Sequence, residues 1–164
     1  MRIKTVKQFL AYLLVNCIFS GTNAWTIKRK LLQCAGWTIG KETRIVGPVT
    51  CSGAVVIGDH CWIGRDFYVY GNGTVIIGDN CDIAPGVSFF TGGHSIGPSS
   101  RRAGEGETYT IRVGDGCWIG GNSSFVRELT VGCGSVVAAC ACVTKNVPDN
   151  SLVGGVPAVK LRSL

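Results

Sequence analysis

The chain has 164 residues, of which 46% are hydrophobic and only 16% charged, and it contains 24 glycines. A chain of this length can bury one core but cannot form two large domains, and its abundant Gly, Val and Ile favour short strands and tight turns over a helical bundle. The formal charge of +6 is spread along the chain without a block of Lys and Arg, so we exclude a nucleic-acid-binding surface.

The sequence contains nine cysteines, and this odd number argues against a fully paired disulfide framework. Cys61, Cys81 and Cys117 share one place of a six-residue repeat, described below, where a reduced thiol can serve as a small buried hydrophobic group. No Cys-x-x-Cys pair occurs. A thiolate zinc site is therefore disfavoured, and we expect no metal to be required.

The first 35 residues do not repeat, and they carry a basic start followed by an apolar run over residues 9–19. Thr22 and Ala24 then give the small-residue pattern of a signal-peptide cleavage site. The run is too short to span a bilayer as a helix. Three alternatives stay open for residues 1–24: a signal peptide, a helix packed on the rest of the chain, or a helix at a membrane surface.

A period of six residues begins at Ile39 and continues almost to the end of the chain. Gly often follows the first-place residue directly, and we expect it to occupy corners where φ is positive. The fifth place holds a small or medium-sized side chain. Every first place is apolar: Ile39, Ile45, Cys51, Ile57, Ile63, Val69, Ile77, Ile83, Phe89, Val113, Ile119, Phe125, Val131, Val137 and Val143.

This period of six matches neither an α-helix, whose period is 3.6, nor a simple strand, whose period is two. It matches a coil with three flat sides, each made by one hexapeptide, in which the first-place residue points inward. Successive coils then stack as parallel strands about 4.8 Å apart. The sequence therefore predicts an all-β fold, a parallel β-helix, preceded by a helical N-terminal segment.

Residues 95–112 interrupt the repeat with a charged stretch of one coil's length. The positions that would point inward include Arg101 and Glu107, and burying these charges unpaired in an apolar prism would be strongly unfavourable. We therefore predict a loop extruded from the β-helix, and long loops in tight folds usually serve a site. His94 lies where the repeat opens, and an imidazole can exchange a proton at neutral pH.

Three motifs resemble those of the hexapeptide-repeat acyltransferases, which fold as left-handed β-helices. The resemblance covers residues 36–164, and the loop is similar to that of O-acetyltransferases that modify capsule or lipopolysaccharide sugars. The implied organisation is an N-terminal helical segment over 1–35, a β-helix domain over 36–158 and a C-terminal tail over 159–164. The motifs are Thr-Gly-Gly-His at 91–94, Gly-Asp-Gly-Cys-Trp-Ile-Gly at 114–120 and Val-Gly-Gly-Val-Pro-Ala at 153–158.

The resemblance also implies roles for individual residues. His94 would be the general base that accepts the proton of an acceptor hydroxyl, and Gly121 would donate a backbone N–H to the tetrahedral oxyanion. Asn72 matches a position that contacts the acceptor, with a plain Asn-Gly turn as the alternative. Many members place Lys or Arg directly after Pro-Ala, whereas this chain has Val159 there and Lys160 next. The implied coenzyme contacts are Gly121, Ala139, Thr144, Lys145 and Arg162.

We therefore expect an acetyl-CoA-dependent O-acetyltransferase that modifies a sugar hydroxyl of a surface polysaccharide or its precursor. The resemblance implies a homotrimer with active sites between subunits. The need for acetyl-CoA implies a cytoplasmic enzyme, with residues 1–24 at the inner membrane surface as an alternative. Acetyl transfer to a small molecule and a non-enzymatic scaffold also remain alternatives. A zinc carbonic anhydrase on this fold needs three His ligands, and the chain has two histidines.

Overall fold

The computed structural model describes residues 6–164, and most of them form a parallel β-solenoid with three flat faces. Two helical segments precede the solenoid. The first is α1 (Val6–Leu13), which continues into a π-helical turn (Leu14–Ile18), and the second is α2 (Trp25–Cys34).

The three faces, named A, B and C, are each a stack of parallel strands from successive coils. This arrangement confirms the predicted β-helix. Face A contains β1 (Thr38–Ile39), β4 (Ala54–Ile57), β7 (Thr74–Ile77), β12 (Thr110–Val113) and β15 (Leu129–Val131). Face B contains β2 (Arg44–Ile45), β5 (Trp62–Ile63), β8 (Asp82–Ile83), β13 (Trp118–Ile119), β16 (Val136–Val137) and β18 (Ser151–Gly155). Face C contains β3 (Val49–Cys51), β6 (Phe67–Tyr70), β9 (Ser88–Phe90), β14 (Ser124–Val126) and β17 (Cys142–Val143).

The first-place residues of the repeat fill the interior of the solenoid, as the sequence predicted. None of them is more than 6% exposed. Equivalent residues of successive coils are partners in the strand register, as Ile57 and Ile77 are on face A. Phe89 and Phe125 stack in consecutive coils, with ring centroids 4.8 Å apart, and Phe67, a bulky fifth-place residue, lies tilted against Phe89 at 5.5 Å. This stacking adds to the stabilisation that comes from burying the rings.

The glycines that follow the first-place residues do not have the positive φ that the sequence predicted, and a different constraint requires them. Positive φ occurs two places further along, at residues such as His60 (φ 56°) and Asn80 (φ 55°). A Cβ on Gly58 would instead collide with Oδ1 of Asp79 in the next coil. That oxygen accepts a hydrogen bond from the Asp59 N–H at 2.7 Å. Glycine is therefore required here by the close passage of an aspartate that links neighbouring coils, as it is at Gly78 and Gly132, whereas Gly64 and Gly120 lie against the backbone of the next coil.

All nine cysteines are unpaired. Cys51, Cys61, Cys81 and Cys117 are buried, and burial raises the pKa of Cys51 to about 11. The Cys81 N–H donates to the Cys61 sulfur at 3.4 Å, so these two thiols belong to the stacked interior. The other five cysteines are exposed or half-buried, and the predicted role as core filler applies only to the first four.

The N-terminal helical segments cover the open end of the solenoid. Tyr12, Val15 and Leu32 are buried in the common core. The Asn16 side-chain amide donates to the Val49 carbonyl oxygen and accepts from the Val49 N–H, both at 2.9 Å. It thus pairs with the edge strand β3 as a neighbouring strand would. Residues 6–34 are thus packed on the solenoid, which is one of the three alternatives offered by the sequence. Within the described residues no helix is long and apolar enough to cross a membrane.

Lys28 of α2 is completely buried beneath this covering layer. Its ammonium donates to the carbonyl oxygens of Gly21 and Val46 and lies 4.4 Å from the centroid of the Trp25 ring. Burial lowers the pKa of Lys28 to about 8. Because the carbonyls and the aromatic ring partly replace water, the cation can be held in the interior.

The excursion from the repeat is an antiparallel hairpin of β10 (Gly92–Ile96) and β11 (Ala103–Thr108). At its base, the Tyr109 N–H donates to the Thr91 carbonyl oxygen at 2.8 Å. The chain then re-enters face A, where β12 pairs with β7. The hairpin therefore occupies 92–108, starting three residues before the predicted loop, and residues 110–112, which the sequence assigned to the loop, lie in the solenoid.

The C-terminal residues form a further strand, β19 (Ala158–Ser163), which pairs antiparallel to β18. The sequence predicted only a tail here. The strand lies at the end of face B, opposite the end covered by the N-terminal helices.

Candidate active site

The base of the hairpin borders an open groove of about 510 Å³ at the corner between faces C and A. We call this the His94 groove. Its lining residues come from the ends of β6 and β9, from the turn after β6 and from both hairpin strands. They are Tyr70, Gly71, Asn72, Phe90, Gly92, Gly93, His94, Gly106, Glu107 and Thr108.

His94 lies in the middle of β10, opposite Gly106 of β11, and its side chain is exposed. Its Nδ1 atom lies 2.9 Å from the Gly104 carbonyl oxygen. A carbonyl oxygen can only accept, so this hydrogen bond requires a proton on Nδ1. The neutral ring then carries its lone pair on Nε2. The hairpin thus presents His94 in the tautomer that a general base needs.

The hairpin is anchored at its base by a small polar cluster. The Tyr109 hydroxyl donates to the Glu107 carboxylate at 2.5 Å, and the guanidinium of Arg127 lies 3.7 Å from the same carboxylate oxygen. Gly93 passes over the Tyr109 ring so closely that a Cβ there would lie 2.8 Å from the hydroxyl oxygen. Gly93, directly before His94, therefore allows the hairpin to pack against its own base.

Asn72, predicted to contact the acceptor, lies in the turn between β6 and β7 and is exposed. It lines the same groove as His94. The structure therefore brings together the predicted general base and the predicted acceptor contact, although they are 22 positions apart.

Gly121 and Ala139 lie at a different corner, between faces B and C, in two consecutive coils. The Cys140 N–H donates to the Gly121 carbonyl oxygen at 2.8 Å, which fixes the two segments next to each other. Ala139 is exposed. Within residues 6–164, the Gly121 N–H has no hydrogen-bond acceptor. It can therefore donate to a ligand, as the predicted oxyanion role requires.

Thr144 and Lys145 line a second groove, of about 280 Å³, between the turn after β17 and the C-terminal hairpin. We call this the C-terminal groove. Lys160 of β19 lines it as well. Arg162 is exposed, lies opposite Leu152 in the register and is not among the lining residues. The structure thus gathers two lysines beside Thr144 and leaves the predicted Arg162 outside.

Sequence reasoning gave Lys160 no site role of its own. The signal that could have identified it is its spacing, because it follows Pro157-Ala158 by two positions, one later than the basic residue of many related sequences. The bulge between Leu152 and Val153 shifts the β18–β19 register by one residue. A register shift of this kind cannot be inferred from the repeat.

One chain does not bring His94 and Gly121 together. The Asn122 N–H donates to the Pro85 carbonyl oxygen, so Gly121 lies beside Pro85 of the coil below. From Pro85 the chain crosses face C through β9 to Thr91, a path of roughly 20 Å at about 3.3 Å per residue. The predicted general base and the predicted oxyanion donor therefore lie at opposite edges of face C.

A three-faced solenoid with a histidine hairpin at one corner defines a hexapeptide-repeat protein with a candidate acyl-transfer site. No protein-family model matches the chain. Galactoside O-acetyltransferase of Escherichia coli K12 is 34% identical over 133 residues, which are 77% of this chain and 64% of that protein. The chain spans between 55% and 64% of the length of the curated relatives it matches.

Solved structures give the same result over nearly the whole chain. The hexapeptide-repeat containing acetyltransferase VCA0836 of Vibrio cholerae has a TM-score of 0.82 at 32% identity, covering 96% of this chain and 89% of that one. VCA0836 has also been solved in complex with acetyl-CoA. The polySia-specific acetyltransferase NeuO has a TM-score of 0.65 at 30% identity, covering 76% of this chain and 60% of that one. The chain belongs to the hexapeptide-repeat acetyltransferases.

Proposed function

We propose that this protein transfers the acetyl group of acetyl-CoA to a sugar hydroxyl, most specifically one on a surface polysaccharide or its precursor. The observation that carries the proposal is the fixed tautomer of His94, whose Nε2 is left as the basic nitrogen beside an open groove. The related galactoside O-acetyltransferase and NeuO, named for a sugar and for a polysaccharide, support a carbohydrate acceptor.

His94 acts as the general base in this scheme. Its Nε2 accepts the proton of the acceptor hydroxyl while the hydroxyl oxygen forms a bond to the thioester carbonyl carbon. The Gly121 N–H donates to the resulting oxyanion. When the carbon–sulfur bond breaks, the imidazolium returns the proton to the sulfur of CoA, and the acetyl ester is released. No cysteine acts as a nucleophile, and the buried thiols belong to the core.

The coenzyme is bound by two groups of residues. Gly121 and Ala139 form a narrow corner of small residues along which a pantetheine arm fits. In the C-terminal groove, Thr144 supplies a hydroxyl, and Lys145 and Lys160 supply two positive charges suited to the phosphates. We assign the principal basic contact of the tail to Lys160, with Arg162 in a secondary position outside the groove.

The separation of His94 and Gly121 supports a trimer with shared sites. If the corner between faces C and A of one copy meets the corner between faces B and C of the next, His94 and Gly121 come to lie across one interface. Such a head-to-tail contact forms a ring when its rotation closes, and the triangular cross-section of the solenoid suits a ring of three copies. Each ring would then contain three equivalent clefts.

Subunit mixing tests the shared site. His94→Ala removes the base, and Ala139→Trp blocks the arm of the coenzyme, so each variant alone should be inactive. Co-expression should restore activity, because a mixed ring contains clefts with both halves intact. If both variants fold but the mixture stays inactive, the site lies within one chain.

We place the reaction in the cytoplasm, because this compartment supplies acetyl-CoA. Contact of residues 1–24 with the inner membrane surface stays an alternative proposal. Phe9, Leu10 and Leu13 support it, because these apolar side chains of α1 are between 43% and 49% exposed. Sedimentation of the full chain with anionic lipid vesicles distinguishes the two.

The activity is tested by incubating the protein with acetyl-CoA and a panel of methyl glycosides and oligosaccharides. Release of the CoA thiol should accelerate when an acceptor is added, and mass spectrometry should show a sugar heavier by one acetyl group. A protein that binds acetyl-CoA but never transfers the acetyl group to any sugar would contradict the proposal.

A further inference from the structure

Three aromatic side chains form a row on the outer surface of face C that runs into the His94 groove. The Tyr68 and Tyr70 ring centroids are 5.5 Å apart with planes at 13°, and those of Tyr70 and Phe90 are 5.4 Å apart with planes at 28°. Tyr70 is 39% exposed and Phe90 is 38% exposed. A grouped aromatic surface of this kind beside a groove is typical of a ligand site.

The solenoid core does not need these rings. The inward-pointing residues of the same strands are Phe67 and Val69 in β6 and Phe89 in β9, and all three are at most 1% exposed. Tyr70 and Phe90 alternate with them and point outward, as partners in the strand register. Tyr70 and Phe90 line the His94 groove together with Asn72 and His94.

We propose that Tyr70 and Phe90 form a platform on which the ring of an uncharged pyranose acceptor stacks. The inference rests on the proposed function, because it names the class of sugar that the same site takes. One face of a pyranose carries several C–H bonds and is apolar, while its edge carries hydroxyls. An aromatic surface next to a few polar groups matches this division.

The polar side chains of the groove complete the match. Asn72 supplies an amide, Glu107 supplies a carboxylate acceptor, and His94 supplies the base. Stacking holds the sugar ring against one wall, so that a hydroxyl at its edge can reach Nε2 of His94. Tyr70 and Phe90 are therefore positioning residues, and His94 remains the catalytic group.

The charges of the groove favour a neutral sugar over an acidic one. Of its lining residues in the described part of the chain, Glu107 is acidic and none is Lys or Arg. Arg127 contacts the Glu107 carboxylate from outside the groove. A sugar carboxylate would therefore lie near the negative charge of Glu107, and no cationic residue lines the groove of the described chain to offset the repulsion between the two carboxylates. The acceptor class differs in this respect from the polysialic acid for which NeuO is named.

Binding can be measured without any transfer reaction. Saturation-transfer NMR on the full chain, with the methyl pyranosides of glucose, galactose and mannose and with methyl sialoside as probes, reports which ligands contact the protein. We expect signals from the C–H protons of at least one neutral pyranoside and weaker signals from the sialoside. Tyr70→Ala and Phe90→Ala should each weaken the affinity for the neutral sugar by about tenfold, whereas Tyr70→Phe should retain it.

Phe9→Ala is the matched control, because it removes an aromatic side chain that is 49% exposed on α1, away from the groove. It should leave sugar binding unchanged. The platform is overturned if the double variant of Tyr70 and Phe90 keeps its circular dichroism spectrum and still binds as tightly as the wild type. It is also overturned if no neutral pyranoside binds or if the sialoside binds best. If the wild type binds a neutral pyranoside but transfers no acetyl group to it, the result would instead contradict the proposed function.

Discussion

The Nδ1 atom of His94 lies 2.9 Å from the carbonyl oxygen of Gly104, across the two strands of the hairpin. The histidine and the residue that orients it therefore belong to one local structure. They are ten positions apart in the chain, and the hairpin brings them together. Because the orienting group is a backbone carbonyl, a substitution can remove this contact only by shifting the backbone of the hairpin. The geometry of the hairpin itself therefore controls the tautomer of His94.

Replacing His94 by Ala tests the base directly. The reaction should slow by about two to four orders of magnitude, which is the usual contribution of a general base. The measurement is acceptor-dependent release of the CoA thiol. His60→Asn is the matched control, because His60 is an exposed turn residue at φ 56°, a conformation that Asn tolerates. The control should retain full activity, and equal losses in both variants would contradict the assignment.

Gly104→Ala tests the orientation of the imidazole. A Cβ on Gly104 would lie 2.7 Å from the Ser95 hydroxyl oxygen and 3.0 Å from the Ser95 carbonyl oxygen. The hairpin must shift to relieve this contact, and the Gly104 carbonyl should move away from His94. We expect kcat to fall by about tenfold while the KM for acetyl-CoA is unchanged. Gly106→Ala, whose Cβ would meet nothing within 4 Å, should lose less activity. Similar losses would show that glycine flexibility, not the hydrogen bond, is important.

The stacked coils could be predicted from the sequence because each coil repeats the same requirement. A bulky apolar residue at every first place has only one location that buries it, so the pattern determines the interior. The reason for the second-place glycines could not be predicted in this way. It depends on the Asp79 carboxylate passing over Gly58 from a coil 20 residues later, and such contacts become visible only when the coils are stacked.

The candidate site was less predictable because it depends on departures from the repeat. His94 was marked by the interruption of the period, but the hydrogen bond to Gly104 depends on the register of a hairpin that no repeat describes. Lys160 reaches the C-terminal groove through a bulge in the last strand pair. The covering role of Asn16 was hidden for a similar reason, since it pairs with Val49 over 33 positions.

Charge removal in the C-terminal groove should weaken the binding of the coenzyme. Lys145→Gln and Lys160→Gln should each raise the KM for acetyl-CoA by about tenfold, the usual effect of losing one charge-assisted hydrogen bond. Arg162→Gln should have a smaller effect, because Arg162 lies outside the groove. Lys41→Gln, an exposed lysine at the opposite end of the solenoid, serves as the control. A larger effect of Arg162→Gln than of Lys160→Gln would reverse the assignment of the tail contact.

The buried Lys28 should make stability depend on pH. Its pKa is about 8 in the folded protein, compared with an ordinary value of 10.5. Between these values the unfolded chain binds more protons than the folded one, so the free energy of unfolding rises with pH. Below about pH 8 both states are protonated, and burial of the cation has its full destabilising effect. From pH 7 to pH 9.5 the folded protein should gain about 2 kcal/mol from this residue.

Lys28→Met removes the titrating group and should abolish this gain. The measurement is the Tm of the wild type minus that of the variant, which should increase by several degrees from pH 7 to pH 9.5. Lys30→Met is the control, because Lys30 is an exposed lysine of the same helix. Its difference from the wild type should not change over this pH range. If the Lys28→Met difference is equally constant, Lys28 is solvated in the folded protein, and the close packing of α2 over the first coil is wrong at this residue.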